Sequence, residues 1–262
     1  MPRFAANLST MFTELEITDR FAAARGAGFR AVEYLMPYDH PVEKVREWLA
    51  NAGLEMILLN TRLGDAAAGE RGLAAVPGRE ADFRDIFAQS LEYATGLSAG
   101  MIHLMAGVVP PGQDAESEAS FITNVRQAAD EAAAHGVRIL LEPLNAVDVP
   151  GYLHSNVGQT RRLIESIERD NVQLQFDFYH LQIMQGNLGA NLRENLDIIG
   201  HVQFSSLPGR HEPQHGEVNA DYLFDLLDEL GYDGWVGCEY GPKTKTLEGL
   251  SWARRFGLGS TE

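Results

Sequence analysis

Cys238 is the chain's only cysteine, so no internal disulfide can form. Cations are scarce as well: 21 Lys and Arg face 37 Asp and Glu, a formal net charge of −16. A surface of that sign repels a phosphate backbone or an anionic bilayer at long range, which argues against nucleic-acid and membrane partners. No apolar run reaches the roughly 18 residues needed to span a bilayer. The stretch from Met1 to Leu8 lacks the basic, apolar and cleavage regions of a secretory signal. Cytoplasm is the expected location. Two common chemical motifs are also missing: the glycine-rich stretch from Gly64 to Gly72 has no GlyLysSer or GlyLysThr ending, and no zinc HisGluXXHis occurs.

What is present is a regular alternation in a chain of 262 residues, 45% of them hydrophobic. Strand-like apolar runs lie at 4–8, 31–35, 55–60, 101–106, 137–142, 172–177, 201–205 and 235–240. The intervals between them hold a helix each and are too long for hairpins, so the strands are expected to pair in parallel. Segment 122–134 is one such helix, with Ile122, Val125, Ala128, Ala129 and Ala132 on one face and Gly136 as its stop. An open doubly wound sheet shares this alternation. Eight strands of similar length, each followed by a helix and together filling the chain, favour a single (β/α)8 barrel over residues 1–262.

A barrel concentrates chemistry at the C-terminal ends of its strands. Those ends read Asn7, Glu33, Asn60, His103, Glu142, Asp177, Gln203 and Glu239. The last four come from consecutive units and sit in apolar runs. Three carboxylates gathered in a dehydrated mouth repel one another unless a cation or protons intervene. With the Gln203 carbonyl they form a hard oxygen set suited to Mg²⁺ or Mn²⁺. Arg210, in the loop after the seventh strand, is the first candidate for gripping an anionic substrate, because a guanidinium holds a carboxylate in bidentate fashion. His180 is the second; Arg71 and Lys243 follow. Phe12, Tyr38, Tyr152 and Trp235 are expected to be packing residues, and His103 to be a core or a pocket residue with equal weight.

GluProLeuAsn at 142–145, AspPheTyrHis at 177–180, HisValGln at 201–203 and GlyCysGluTyr at 237–240 resemble the hydroxypyruvate isomerase family of the xylose-isomerase-like barrels. The resemblance extends to 3–9, 69–72, 77–80 and 216–219, nearly the whole chain. It implies that Glu142, Asp177, Gln203 and Glu239 bind one divalent metal and that Glu142 and Glu239 double as acid and base. The implied reaction shifts a carbonyl between adjacent carbons of a small hydroxy-oxo acid through an enediolate. Ser206 departs from the family, which usually carries an acid there. Segments 1–9, 105–110 and 207–213 look more like the branch that isomerises 2-oxo-tetronates, whereas GluProLeuAsn resembles the hydroxypyruvate branch; both acids stand as substrates. Rival readings are a ketose 3-epimerase, whose relatives usually carry histidine at the Gln203 position, and a non-catalytic sugar-acid binding protein. A related endonuclease would need a histidine-rich metal cluster and a cationic path. A homo-oligomer is compatible with the sequence.

Overall fold

A computed structural model describes residues 1–259. Eight parallel strands close into a barrel in sequence order. They are β1 (Arg3–Asn7), β2 (Ala31–Glu33), β3 (Glu55–Asn60), β4 (Met101–His103), β5 (Arg138–Leu141), β6 (Val172–Asp177), β7 (Ile199–Phe204) and β8 (Trp235–Cys238). The outer ring comprises α1 (Ile17–Gly26), α2 (Val42–Ala52), α3 (Glu80–Leu97), α4 (Asp114–Ala133), α5 (Val157–Ile167), α6 (Phe178–Met184), α7 (Leu188–Asn195), α8 (Ala220–Glu229) and the short α9 (Thr246–Gly249). This is the (β/α)8 barrel that the alternation predicts. No described helix is long and apolar enough to cross a membrane.

Several details differ from the expected pattern: β2 and β8 each end two residues short of the runs at 31–35 and 235–240, and the interval between β6 and β7 holds two helices, α6 and α7. β4 stops three residues early because the chain at Ala106 leaves the barrel wall to bridge Gly72 of the loop after β3. After β8 the described residues form no full helix: the four-residue α9 leads into a 3-10 segment, Leu250–Phe256. Trp252 and Phe256 of that segment pack against Phe4 and Phe224, closing the seam with edge-on and tilted aromatic contacts in place of a long helix.

The core has two parts. Between the wall and the helices lies the main apolar layer. Inside the barrel, Ala5, Ala31, Ile57, Leu58, Met101 and Leu140 form a small apolar plug. Elsewhere the barrel wall is polar: Asn7 and Glu33 at the ends of β1 and β2, and Gln175, His201 and Gln203 on β6 and β7, are all buried. Buried polar groups are stable only when partnered, so this layer must be read as a hydrogen-bond network.

Candidate active site

Glu142 directly follows β5, and the Pro143 beside it has no N–H with which to continue the ladder. Asp177 ends β6 and is the N-cap of α6: one carboxylate oxygen accepts from the Tyr179 backbone N–H at 2.8 Å. Its other oxygen, Oδ2, is buried without a hydrogen-bond partner, and so is Oε1 of Glu142. Glu239 directly follows β8, its N–H still bonded to the Phe204 carbonyl.

These carboxylates share one cation of the chain. The Nη2 of Arg210 lies 3.1 Å from Glu239 Oε1 and 3.7 Å from Asp177 Oδ2, and the guanidinium stacks on the Tyr179 ring, 4.6 Å from its centre. Burial opposes the charge on Arg210, yet Glu239, Asp177 and Glu142 together hold its pKa above the ordinary arginine value. Burial, then the Glu239 and Asp177 charges, raise the Glu142 carboxyl well above the usual carboxylate range. Glu239 is pushed up to about 7, by burial foremost, with Arg210 pulling the other way. One guanidinium therefore does not neutralise the group.

Glu142, Asp177 and His180 each place one potential ligand atom within 4.8 Å of the others, a spacing that one ion can bridge. The two orphaned carboxylate oxygens are what a cation would satisfy, and hard oxygen donors suit a divalent ion. The imidazole is differently employed. The Asn145 backbone N–H donates to His180 Nδ1 at 3.1 Å, and a backbone N–H can only donate. The neutral ring therefore carries its proton on Nε2, the atom 4.0 Å from Glu142 Oε1 and 3.9 Å from Asp177 Oδ2. Burial pushes His180 down to about 4, which keeps it neutral near pH 7. In this tautomer His180 is a hydrogen-bond donor toward the site.

Gln203 sits on β7 in register with Asp177, one strand away. Its carbonyl accepts from Gln175 Nε2 at 2.5 Å and its NH₂ donates to Glu33 Oε2 at 2.8 Å. It thus belongs to the barrel's polar layer as well as to the rim. Arg71 is half-buried in the loop after β3, where it donates to the Glu70 carbonyl at 2.8 Å. The side chain of Lys243 is exposed; its backbone N–H is held by the Glu212 carboxylate. Among the described residues, neither cation forms an ion pair with the carboxylate cluster.

Asn145 also donates through its amide to Asp148 at 2.9 Å, and Asp148 accepts from the Tyr179 hydroxyl at 2.9 Å. This chain braces His180 and the ring beneath Arg210. The signals for it are position and motif: Asn145 and Tyr179 lie four and two residues past the ends of β5 and β6, inside the segments 142–145 and 177–180. His103 Nδ1 stands 3.2 Å from Glu142 Oε2, and burial holds the ring at about 3, so it faces Glu142 uncharged. Phe12 is buried, Tyr38 and Tyr152 spend their hydroxyls on structural bonds, and Trp235 lies at the opposite mouth. A cavity of about 530 Å³ opens at that N-terminal mouth, lined by Arg3, Arg138, Glu55 and Asp233 among others. None of the carboxylates above lines it, and its mixed charges single out no chemistry.

Residues 21–256 match the family model of the xylose isomerase-like TIM barrel. A 2-oxo-tetronate isomerase of Cupriavidus necator is 48% identical over 98% of this chain and 99% of its own. The hydroxypyruvate isomerase of Escherichia coli is 42% identical over 96% of this chain and 98% of its own. A crystal structure from Brucella melitensis, described as an AP endonuclease of family 2, superposes with a TM-score of 0.96 at 45% identity, covering 98% of this chain and 99% of that one.

Proposed function

The chain belongs to the xylose isomerase-like TIM barrel family, and we propose that it is a divalent-metal-dependent isomerase of a small hydroxy-oxo acid, a 2-oxo-tetronate or hydroxypyruvate. The observation that carries this reading is the pair of buried, unpartnered carboxylate oxygens, Glu142 Oε1 and Asp177 Oδ2.

In this reading Glu142, Asp177, Gln203 and Glu239 hold Mg²⁺ or Mn²⁺. Bound there, the ion supplies a Lewis acid for negative charge developing on substrate oxygen. Glu142 and Glu239, from β5 and β8, stand on nonadjacent strands and flank the substrate. One takes the proton from the carbon beside the carbonyl, leaving an enediolate, and the other returns a proton to the neighbouring carbon, while the hydroxyl proton passes to the former carbonyl oxygen. His180 Nε2–H donates to a substrate oxygen, and Arg210 grips the carboxylate, with Arg71 and Lys243 completing the cationic side from the loops after β3 and β8.

Arg210 favours an acid over the neutral sugar of a ketose 3-epimerase. Ser206, small and buried, its hydroxyl accepting from the His211 N–H, gives room at a position where an acid is usual, which favours the four-carbon substrate. The endonuclease description belongs to the Brucella protein; here a net charge of −16 and a single arginine at the carboxylates count against a nucleic-acid substrate.

The test is incubation of chelated and Mg²⁺- or Mn²⁺-loaded protein with each acid in D₂O. Metal-dependent conversion with deuterium entering the carbons next to the carbonyl is expected. Binding of the acids without exchange would instead support a sugar-acid binding protein.

A further inference from the structure

We propose that Glu33 is a positioning residue: from inside the barrel it fixes the amide of Gln203 so that the NH₂ faces inward and the carbonyl oxygen is the end available to the carboxylate site. The inference rests on the reading of Gln203 as an oxygen donor to the ion.

Glu33 is completely buried, which for a carboxylate is costly unless its oxygens are filled. They are. Oε2 accepts from Asn7 Nδ2 at 2.9 Å and from Gln203 Nε2 at 2.8 Å, and Oε1 lies 2.6 Å from His201 Nε2. The Asn7 amide is itself oriented, because its oxygen accepts from the Ser9 N–H at 3.0 Å. Oε2 already accepts from the oriented Asn7 amide, so the group touching it on Gln203 is the NH₂. Turning that amide over would set its oxygen against the Glu33 carboxylate and its NH₂ against the Gln175 amide. Gln175 can rotate to accommodate the change; Glu33 cannot, since both its oxygens are acceptors.

The wall is shaped for this reach. Glu33 on β2 meets Gln203 on β7 across two intervening strands, β1 and β8. A side chain on β8 at Gly237 would overlap Glu33 Oε1 and come within 2.8 Å of Gln203 Cγ. Glycine there leaves the space the carboxylate occupies. Gln203 is also in register with Asp177, and its carbonyl, which accepts from Gln175 Nε2 at 2.5 Å, has a second lone pair with which to serve an ion held by that carboxylate.

The experiment is Mn²⁺ titration by calorimetry of the full chain as wild type, Glu33→Gln, Gln203→Leu and the double variant, each checked for folding by circular dichroism after chelation. Glu33→Gln is expected to weaken Mn²⁺ binding about 10–100-fold, Gln203→Leu by a similar factor, and the double variant no more than Gln203→Leu alone. Mn²⁺ affinity within about twofold of wild type in Glu33→Gln, or two losses that multiply, overturns the proposal. Wild-type protein that binds no Mn²⁺ overturns the metal reading itself, a result separable from the first. Should Glu33→Gln not fold, Gly237→Ala carries the test, because it displaces the carboxylate without deleting a hydrogen-bonding group, and it is expected to show the same loss. If neither variant folds, Glu33 serves the fold and the proposal fails.

Discussion

Arg210 Nη2 stands 3.1 Å from Glu239 Oε1, so the cation expected to receive the substrate is already paired with a residue expected to move a proton. The same contact helps hold the Glu239 pKa down against burial. Arg210→Ala should therefore act twice. KM for the acid should rise about 10²-fold, the cost of removing one partner from a desolvated charge pair. Loss of the guanidinium should also raise the Glu239 pKa, moving the acid limb of kcat/KM to higher pH. Arg210→Lys should recover part of the binding but not the bidentate grip. Steady-state kinetics across pH check this; unchanged KM removes Arg210 from the substrate site.

Glu142→Gln and Glu239→Gln should each lower kcat about 10³-fold or more, since each deletes a proton carrier. Stability should move the other way. The fold raises the Glu142 pKa above its unfolded value, so at pH 7 the ionised group is less favourable in the native state than in the unfolded chain. The neutral amide removes that cost, and chelated Glu142→Gln should melt at the wild-type temperature or above it. Turnover and thermal melts on the same samples test the opposition.

Among the described residues His154 forms no ion pair with a carboxylate; its Nδ1 lies 2.8 Å from Thr160 Oγ1, and burial pushes it down to about 3. An unfolded histidine takes its proton near pH 6.5, so the unfolded state binds more protons between the two values. The stability that neutral His154 contributes is complete above about pH 6.5 and is lost as pH falls toward 3, at about 1.4 kcal/mol per pH unit. Urea unfolding between pH 7 and 5 should show this slope, and His154→Gln should reduce it by that amount. An identical slope in the variant refutes the assignment.

Gly72 has φ of +109°, and a Cβ there would overlap the Met105 carbonyl. The close approach is what lets the loop carrying Arg71 bridge to Ala106 beside the barrel mouth. Gly72→Ala should cost about 2–4 kcal/mol in stability or, if the loop detaches instead, leave global stability near wild type while exposing the loop to protease. Limited proteolysis with urea unfolding distinguishes the two.

Strand ends were the most legible part of the site. Glu142, Asp177 and Glu239 were singled out because apolar runs with a helix after them place their last residue at the barrel mouth, and the folded chain brings all three to Arg210. Tyr179 and Asp148, which brace the guanidinium and His180, had no such mark, since their roles come from side-chain contacts across loops. Arg71 and Lys243 are drawn by charge alone, and charge does not say where a flexible cation points.

The alternation of strand and helix, the parallel pairing and the level of each strand-end acid follow from local pattern, because periodicity and chain length constrain them residue by residue. Which oxygen of Asp177 is left over, which nitrogen of His180 carries the proton and which end of the Gln203 amide faces inward were decided only when the barrel closed. Those choices rest on hydrogen bonds between groups on different strands and loops, such as Glu33 with Gln203, and no local stretch of chain encodes partners brought together by closure.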